Sequence, residues 1–349
     1  MRPTPTRIEP IFSPRLWGAR SLAPLFPEKT NLTEPLGEAW LTGMDCRVAS
    51  GPFAGKTLGA AWSEMPETSR GSQLAGETNF PLLVKFLFPT ENLSLQVHPD
   101  DAYASVHEKA AGGRGKTEMW HAVSATAGAQ LLLGLKPGVT KEKFIEGLAS
   151  QSPEDLFESH PVRTGDTFFV PPGTPHSIGP GVILCEVQEY SDLTYRVYDF
   201  GRVDAHGKPR ELHVVKAIQV TNFGKPAMGK VTPLLLHADG AARSLLAACR
   251  YFAVERWECS TKCEIPIAPE RFELIVILEG AGSLAWPESA ARYRRSECWL
   301  VPASQAHIDI LPETPTSVIR AYVPNLSALK TELHGNGISA AAIAQVVFG

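Results

Sequence analysis

Two histidines, a glutamate and a glutamine stand in the first half of this chain at spacings that suit metal binding. Gln96 and His98 lie in LSLQVHP, which reads as a strand, and their side chains share one face with Ser94 because alternate strand residues point the same way. Glu118 opens EMWHAV, and His176 follows a Pro/Gly turn in GDTFFVPPGTPH. The pattern predicts that three separated strands deliver these donors to one point.

This mixed set of nitrogen and oxygen donors indicates a particular kind of metal site. It suits Zn²⁺, and Mn²⁺, Fe²⁺ or Co²⁺ would also accept it. The set leaves room for a substrate or water oxygen, as a catalytic metal site requires. The alternative for His176 is a solvated histidine in a surface turn.

Three charged residues could add chemistry to such a site. Lys85 stands among apolar residues in PLLVKFLF, where an unpartnered ammonium would be costly to bury; the alternative is an edge-strand lysine that reaches solvent. Glu186 alternates with Gln188 and Tyr190 along a long strand, so it can point into the same cavity as the metal set. Arg196 follows that strand.

The composition limits the classes of function. At 349 residues the chain is long for one core and suits two domains. Its formal net charge of -4 gives no basic surface for nucleic acid, so no such partner is expected. No apolar run reaches the ~18 residues of a membrane span, and MRPTPTRIEPIF does not read as a secretory signal. We expect a cytoplasmic protein without a membrane partner.

Two local patterns do not indicate a reactive or binding site. The six cysteines are expected to be reduced, because Cys259 and Cys263 form the only close pair and no second pair stands at zinc-ribbon spacing. The segment GPFAGKT at 51–57 has only Pro52, Phe53 and Ala54 between its glycines, so it is not a phosphate loop.

The periodicity predicts strands with a few helices. Residues 1–75 read as irregular segments and short strands, and strands are expected in PLLVKFLF, LSLQVHP and TEMWHAVSATAGAQLLLGL. Helices are expected after Pro99, within 140–158 with Thr140 as N-cap, and over 210–220.

Four motifs together resemble those of type I mannose-6-phosphate isomerase (phosphomannose isomerase), closest to its short bacterial forms, in the cupin superfamily. They are LSLQVHPDD, GKTEMWHAV, PPGTPHSIGPGV and QEYSDLTYRVYDFGR. The resemblance implies a mainly β fold of two cupin-type jelly-roll barrels with a few helical insertions. It further implies a metal-binding catalytic domain over residues 1–233 and a degenerate C-terminal domain over 234–349 that lacks the metal site.

The resemblance also implies roles for individual residues. The zinc ligands fall on Gln96, His98, Glu118 and His176, one Zn²⁺ per chain. The active-site arginine falls on Arg196, the residues on the substrate's phosphate side on Lys85, Ser94 and Lys116, and a carboxylate that lines the pocket on Glu186.

The implied reaction is an aldose–ketose isomerisation in mannose and GDP-mannose metabolism. D-Mannose 6-phosphate and D-fructose 6-phosphate would interconvert by proton transfer between C1 and C2 through an enediol(ate). A divalent metal would stabilise the oxyanion as a Lewis acid, and Arg196 would stabilise the enediolate or help to open the ring. Glu186 and a water on the metal remain alternative bases, and a monomer and a homodimer remain alternative states.

Two departures from related patterns are visible. Gly115 stands where longer family members have a histidine, so a base at that position is not general, and Pro180 replaces the asparagine of the general cupin signature. His107, His121 and His160 are off the cupin positions, so we expect them on the surface or in the core.

Two other functions are weaker alternatives. A redox cupin would prefer a site with two or three histidines for iron, and the Arg196 segment and phosphate-side lysines disfavour it. A non-catalytic sugar-phosphate sensor would be expected to lack Glu118, His176 or Arg196, all of which are present.

The C-terminal part repeats the first pattern incompletely. Glu273 in FELIVILEGAGSLAW and His307 in SECWLVPASQAHIDI take the places of Glu118 and His176. We expect FAVERW to replace the strand of Gln96 and His98, with Val254 and Arg256 at the ligand positions. This predicts a second barrel without a metal, closed by a C-terminal tail that packs on it.

Overall fold

The computed structural model describes residues 3–150, 152–204, 206–224 and 228–349, and it is mainly β. The strands of the first part of the chain are β1 Thr6–Ile8, β2 Ile11–Ala19, β3 Leu36–Trp40, β4 Leu82–Leu87, β5 Leu95–Val97, β6 Glu118–Ala125, β7 Gln130–Leu135, β8 Phe157–Pro161, β9 Thr167–Val170, β10 His176–Ile178, β11 Val182–Glu189, β12 Tyr195–Tyr198 and β13 Lys230–Val231. Those of the second part are β14 Leu234–Leu236, β15 Ala242–Ala248, β16 Ala253–Cys259, β17 Cys263–Pro266, β18 Glu273–Glu279, β19 Ala281–Trp286, β20 Ser289–Arg294, β21 Cys298–Val301, β22 His307–Pro312 and β23 Thr316–Tyr322.

The α-helices are short and lie between or after the strands. They are α1 Leu58–Glu64, α2 Glu67–Arg70, α3 Asp101–His107, α4 Lys141–Leu148, α5 Val214–Val220, α6 Leu326–Gly335 and α7 Ala340–Ile343. Within the described ranges, no helix combines the length and apolar character that crossing a bilayer requires.

The strands form antiparallel sheets that fall into two pairs. The first large sheet has the order β13-β9-β6-β11-β4-β3-β2, and the first small sheet has the order β12-β5-β10-β7-β8. The second large sheet has the order β1-β21-β18-β23-β16-β15-β14, and the second small sheet has the order β17-β22-β19-β20. Sheet membership thus changes between β13 and β14, whereas β1 belongs to the second large sheet.

Apolar side chains show how these sheets pack. Trp120 and Leu184 of the first large sheet share a buried cluster with Leu133 and Ile178 of the first small sheet, so the two sheets face each other. The second pair is filled in the same way. The outer faces of the two large sheets bury a further cluster, to which α1, α6 and the C-terminal tail contribute.

Local expectations hold at several elements and fail at the ends of others. Thr140 caps α4 by accepting a hydrogen bond from the Lys143 N–H at 3.3 Å, as predicted. The helix expected within 140–158 nevertheless ends at Leu148, because residues 153–156 form a 3₁₀ turn that leads into β8. The helix expected over 210–220 begins only at Val214. In the N-terminal 75 residues, β2 is a nine-residue strand and not a short one.

The cysteines and the C-terminal tail are found as the sequence predicts. All six cysteines, each within the described ranges, are buried with free thiols. The tail packs on the core, where Phe348 stacks on Phe169 at 4.1 Å between ring centroids.

The second large sheet buries a cluster of charges between the strands β16, β18 and β23. Arg320 forms ion pairs with Glu273 and Glu255, and Glu255 also accepts hydrogen bonds from Arg243 and from the Tyr322 hydroxyl. Burial alone would raise the pKa of Glu255, but Arg320 and Arg243 outweigh it and lower that pKa to about 2.

This cluster predicts acid sensitivity. Because folding lowers the pKa of Glu255 from 4.5 to about 2, its stabilising contribution is complete above pH 4.5 and is lost as the pH falls toward 2. The contribution is on the order of 3 kcal/mol. Urea unfolding at several pH values should show a smaller loss of stability across this window in Glu255→Gln than in the wild type. An equal loss in both would contradict the assignment.

Candidate active site

The predicted metal ligands come from two facing sheets. Gln96 in β5 has His176, at the start of β10, and Arg196, in β12, as its cross-strand partners. These three residues therefore share one face of the first small sheet. His98 directly follows β5, and Glu118 begins β6 in the first large sheet.

His98, Glu118 and His176 form a compact buried group. Their ligand atoms all lie within 4.8 Å of one another. Nε2 of His98 is 3.6 Å from Oε1 of Glu118, and Nε2 of His176 is 3.7 Å from Oε2. Each imidazole contacts a backbone carbonyl through Nδ1, that of Leu193 at 2.7 Å and that of Thr174 at 2.9 Å. Because a carbonyl only accepts, Nδ1 carries the proton and Nε2 keeps a lone pair toward the glutamate.

The group suits a divalent cation. Nε2 of His98 and both carboxylate oxygens of Glu118 are buried without a hydrogen-bond partner among the described residues, although the Lys116 ammonium forms an ion pair with Oε1. Burial lowers the pKa of both His98 and His176, so both rings are neutral ligands. Burial alone would raise the pKa of Glu118, but the charge of Lys116 lowers it, so the carboxylate is ionised.

Gln96 lies beside this group, with its amide nitrogen toward His176. Nε2 lies 3.2 Å from Nε2 of His176, and Oε1 accepts a hydrogen bond from the Ser94 hydroxyl at 3.1 Å. A half-turn of the terminal amide exchanges the two atoms and would present the oxygen to a cation.

A cavity of about 470 Å³ opens next to the group. Gln96 and Lys116 line it, and His98, Glu118 and His176 lie behind these two side chains. A molecule in the cavity therefore meets Gln96 and Lys116 before it reaches the buried donors.

Lys85 is buried on the cavity wall and does not reach solvent through an edge strand. It is 1% exposed, and β4 lies between β11 and β3 in the first large sheet, so the edge-strand alternative is wrong. Its ammonium lies 2.8 Å from Oδ1 of Asp192, 4.0 Å from Oε2 of Glu186 and 4.3 Å from the centroid of the Trp40 ring. These contacts supply the partners that a buried ammonium requires.

Glu186 lines the same cavity as a carboxyl group of raised pKa. The indole N–H of Trp120 donates to Oε1 of Glu186 at 3.1 Å. Burial and the neighbouring charge of Glu118 raise the pKa of Glu186 to about 8. The group can therefore exchange a proton near neutral pH.

Arg196 lies among other cations on the cavity wall. Its Nη1 donates to the carbonyl of Glu211 at 3.0 Å, and its Nε is buried without a partner among the described residues. Burial lowers the pKa of Arg196, and repulsion by Arg210, Arg202 and Arg15 lowers it further. An anion in the cavity would relieve this repulsion.

Several cavity residues were not predicted from the sequence. Asp192 lies in the motif QEYSDLTYR beside Arg196, so its carboxylate was a signal that could have been used. Trp120 is two residues after Glu118 on the same face of a strand, which was a further signal. Arg15 and Arg210 gave none, because only the fold brings them to the cavity.

His107, His121 and His160 belong to the core or the surface, as expected. His121 is buried and contacts the Thr167 hydroxyl at 3.0 Å. His107 stacks on Tyr103, and His160 contacts the carbonyl of Leu133.

The second half corrects one sequence assignment. FAVERW forms β16, a strand of the second large sheet, so Val254 and Arg256 do not replace Gln96 and His98. β17 pairs with β22 as β5 pairs with β10, and Pro266 of β17 is opposite His307 as Gln96 is opposite His176. Glu273 is bound to Arg320 instead of a histidine.

Another set of possible metal ligands lies in the second half, and it differs in burial and charge from the group in the first half. Glu264, His307 and Asp309 lie close enough to share a metal ion, but Glu264 is exposed. The ammonium of Lys262 is 2.8 Å from Asp309 and already neutralises that carboxylate.

The fold and the site define a class of protein: a mainly β, cupin-like protein with a candidate metal site beside a charged cavity. Residues 6–125 match the family described as phosphomannose isomerase type I, catalytic domain. The probable mannose-6-phosphate isomerase GmuF of Bacillus subtilis is 36% identical over 285 residues, which cover 80% of this chain and 87% of that protein. The mannose-6-phosphate isomerase of Streptococcus mutans is 34% identical over 304 residues, 84% of this chain and 92% of the relative.

A solved structure agrees with these relatives. The crystal structure of mannose 6-phosphate isomerase from Bacillus subtilis superimposes with a TM-score of 0.82 at 29% identity, over 91% of this chain and 99% of that one. The chain therefore belongs to the mannose-6-phosphate isomerase family, which confirms the resemblance found in its motifs.

Proposed function

We propose that this chain interconverts D-mannose 6-phosphate and D-fructose 6-phosphate through an enediolate, with one Zn²⁺ held by Gln96, His98, Glu118 and His176. The observation that carries the proposal is the buried group of two neutral imidazoles and one carboxylate, whose ligand atoms lie within 4.8 Å of one another beside the cavity. Zn²⁺ bound there would act as a Lewis acid toward the sugar oxygens.

Arg196 would bind the oxygen on which negative charge develops. It lines the cavity beside Gln96, and its partly unpaired guanidinium is available to an anion. Its planar donors suit an enediolate with two neighbouring oxygens.

Glu186 would move the proton between C1 and C2. Its carboxyl group lines the cavity, and its raised pKa, about 8, suits both uptake and release of a proton near neutral pH. Trp120 holds the carboxyl group in place through its indole N–H.

Lys85, Ser94 and Lys116 would bind the phosphorylated substrate, as the family resemblance implies. All three line the cavity. Arg15 and Arg210 line the same cavity and pair with Glu38 and Asp199, and their guanidinium groups would add donors for the phosphate dianion.

The sheet pairs support a proposal for the domains. We infer that each pair closes as a cupin-type barrel, with the catalytic domain over 1–233 and a domain without a metal over 234–349. The change of sheet between β13 and β14 supports this boundary. We propose that the enzyme acts in the cytoplasm, as part of mannose metabolism, because this reaction fits that setting.

A coupled assay tests the proposed reaction. Fructose 6-phosphate formed from mannose 6-phosphate is measured with the purified protein, with a chelator, and after Zn²⁺ is restored. Activity that is lost with the chelator and recovered with Zn²⁺ is expected. Unchanged activity after complete metal removal would contradict the proposed role of the metal.

The proposed proton transfer predicts the effect of Glu186→Gln. Because the amide cannot accept the proton, kcat should fall by about 10²- to 10⁴-fold. A base acts in its ionised form, so kcat of the wild type should rise with pH toward the pKa of Glu186. That rising limb should be missing from the residual activity of Glu186→Gln. Glu91→Gln, which changes an exposed carboxylate, is the control. Wild-type kcat in Glu186→Gln would assign the proton transfer to another group.

A further inference from the structure

A polar contact joins the two halves of the chain outside the candidate active-site cavity. Arg250 and Tyr251 lie in the turn between β15 and β16, within the second half. Both reach Asp101, the first residue of α3 in the first half. The contact lines a separate cavity of about 560 Å³.

Asp101 uses its two carboxylate oxygens in different directions. Oδ2 accepts hydrogen bonds from the Tyr251 hydroxyl at 2.5 Å and from Nη2 of Arg250 at 3.1 Å. Oδ1 accepts the backbone N–H of Gly115 at 2.8 Å. The carboxylate therefore connects the second half to the segment of residues 113–117.

Glu189 holds the same segment at its other end. The backbone N–H of Thr117 donates to Oε1 of Glu189 at 2.8 Å, and the Glu189 N–H donates to the Thr117 carbonyl at 3.3 Å. Between these anchors, the Lys116 N–H donates to the carbonyl of Pro99 at 3.0 Å. The path of the segment is fixed before it enters β6.

The segment and Asp101 both adjoin the candidate metal group. Asp101 follows His98 after only Pro99 and Asp100, and Gly115 precedes Glu118 after only Lys116 and Thr117. Asp101 thus ties together the chain that leaves one ligand and the chain that leads to another.

We propose that Arg250, Tyr251 and Asp101 form an interdomain clamp by which the second half positions Glu118 and Lys116 for metal binding and catalysis. The inference rests on the proposed metal centre and gives the second half a role in the reaction. All three are positioning residues, because they act through the segment 113–117 and do not touch the cavity that holds the substrate.

Close packing at Gly115 shows that the clamp leaves little freedom. A Cβ added there would lie 2.5 Å from the carbonyl carbon of Asp100 and 2.6 Å from the nitrogen of Asp101. The segment therefore contacts α3 through backbone atoms, and a shift of Asp101 is transmitted to Lys116 and Glu118.

The test compares tyrosine variants on both sides of α3. Tyr251→Phe, combined with Arg250→Gln, removes the donors from the second half. Tyr103→Phe is the matched control, because the Tyr103 hydroxyl on α3 donates to Gln219 of the first half and takes no part in the clamp. The readouts are the Zn²⁺ dissociation constant by chelator competition, kcat, KM and the unfolding temperature.

In the clamp variant, the Zn²⁺ dissociation constant should rise and kcat should fall, each by about 3- to 10-fold, less than the roughly 10- to 100-fold caused by loss of a group bound directly to a ligand, because the clamp acts through the segment 113–117. KM should also rise, because Lys116, which the clamp positions, is one of the proposed substrate-binding residues. Tyr103→Phe should keep both the wild-type affinity and kcat. Asp101→Asn, which still accepts from Gly115, should retain more activity and affinity than Asp101→Ala.

Three results would overturn the proposal. If the wild type binds Zn²⁺ tightly and the clamp variant has the same affinity and kcat, the contact only stabilises the fold. If Tyr103→Phe loses as much as the clamp variant, the effect reflects general loosening of α3. Failure of the wild type to bind Zn²⁺ would contradict the proposed metal centre itself, and the clamp with it.

Discussion

Replacement of Arg196 by alanine should lower kcat by about 10²- to 10³-fold, as the loss of a group that stabilises a developing oxyanion does. The arginine lines the cavity but is not among the residues that form the metal group. Zn²⁺ content should therefore stay at the wild-type level. Steady-state kinetics of the isomerisation, together with metal analysis of the same preparation, measure both quantities.

A positive charge alone at position 196 should not restore activity. Arg196→Lys keeps a cation but loses the planar pair of donors, so we expect it to remain at least about tenfold below the wild type in kcat. Arg292→Ala, which breaks an exposed ion pair with Glu313 in the second half, is the control and should keep wild-type kinetics. Loss of Zn²⁺ from Arg196→Ala would show that the arginine supports the metal group instead of the reaction.

Replacement of Glu118 by glutamine should remove both metal and activity. The change deletes the negative charge of the group and leaves two neutral imidazoles and amides, so Zn²⁺ affinity should fall by more than about 100-fold. Activity without added Zn²⁺ should fall in parallel. Metal content after dialysis and the coupled assay measure these losses.

The second half offers a matched control for Glu118. Glu273 begins β18 as Glu118 begins β6, and it is also buried and paired with a basic side chain. Glu273→Gln should lower stability but keep Zn²⁺ content and kcat per folded molecule. Because Glu118→Gln leaves the Lys116 ammonium without its carboxylate, Glu118→Gln/Lys116→Met tests whether metal loss persists when this buried charge is removed. Retention of Zn²⁺ in Glu118→Gln and in Glu118→Gln/Lys116→Met would contradict the assignment of Glu118 as a ligand.

The sequence predicted the metal group better than its surroundings. Local motifs contain Gln96, His98, Glu118 and His176, and strand alternation with the Pro/Gly turn was enough to predict that three separated strands deliver them to one point. The partners of Lys85 were not predictable in this way. Asp192 lies far along the chain, and only the pairing of β4 with β11 brings Lys85 to the same wall.

The repeat in the second half shows a different limit. Glu273 and His307 were recognised because their flanking motifs are alike, and the structure places them at the starts of β18 and β22. The short strand β17 has no comparable motif, so FAVERW was assigned to its place. Which strand lies opposite His307 depends on hydrogen-bond register, and the residues of a short strand do not determine its register.

The N-terminal strand β1 has a consequence for how the protein is made. Thr6–Ile8 pairs with Cys298–Leu300, so almost the entire chain separates the two partners. During synthesis, β1 leaves the ribosome long before β21, so the backbone groups that pair these two strands remain unpaired until β21 is made. Closure of this sheet edge should consequently be a late and slow step of maturation, and a fragment that ends near residue 233 would expose an unpaired strand to aggregation.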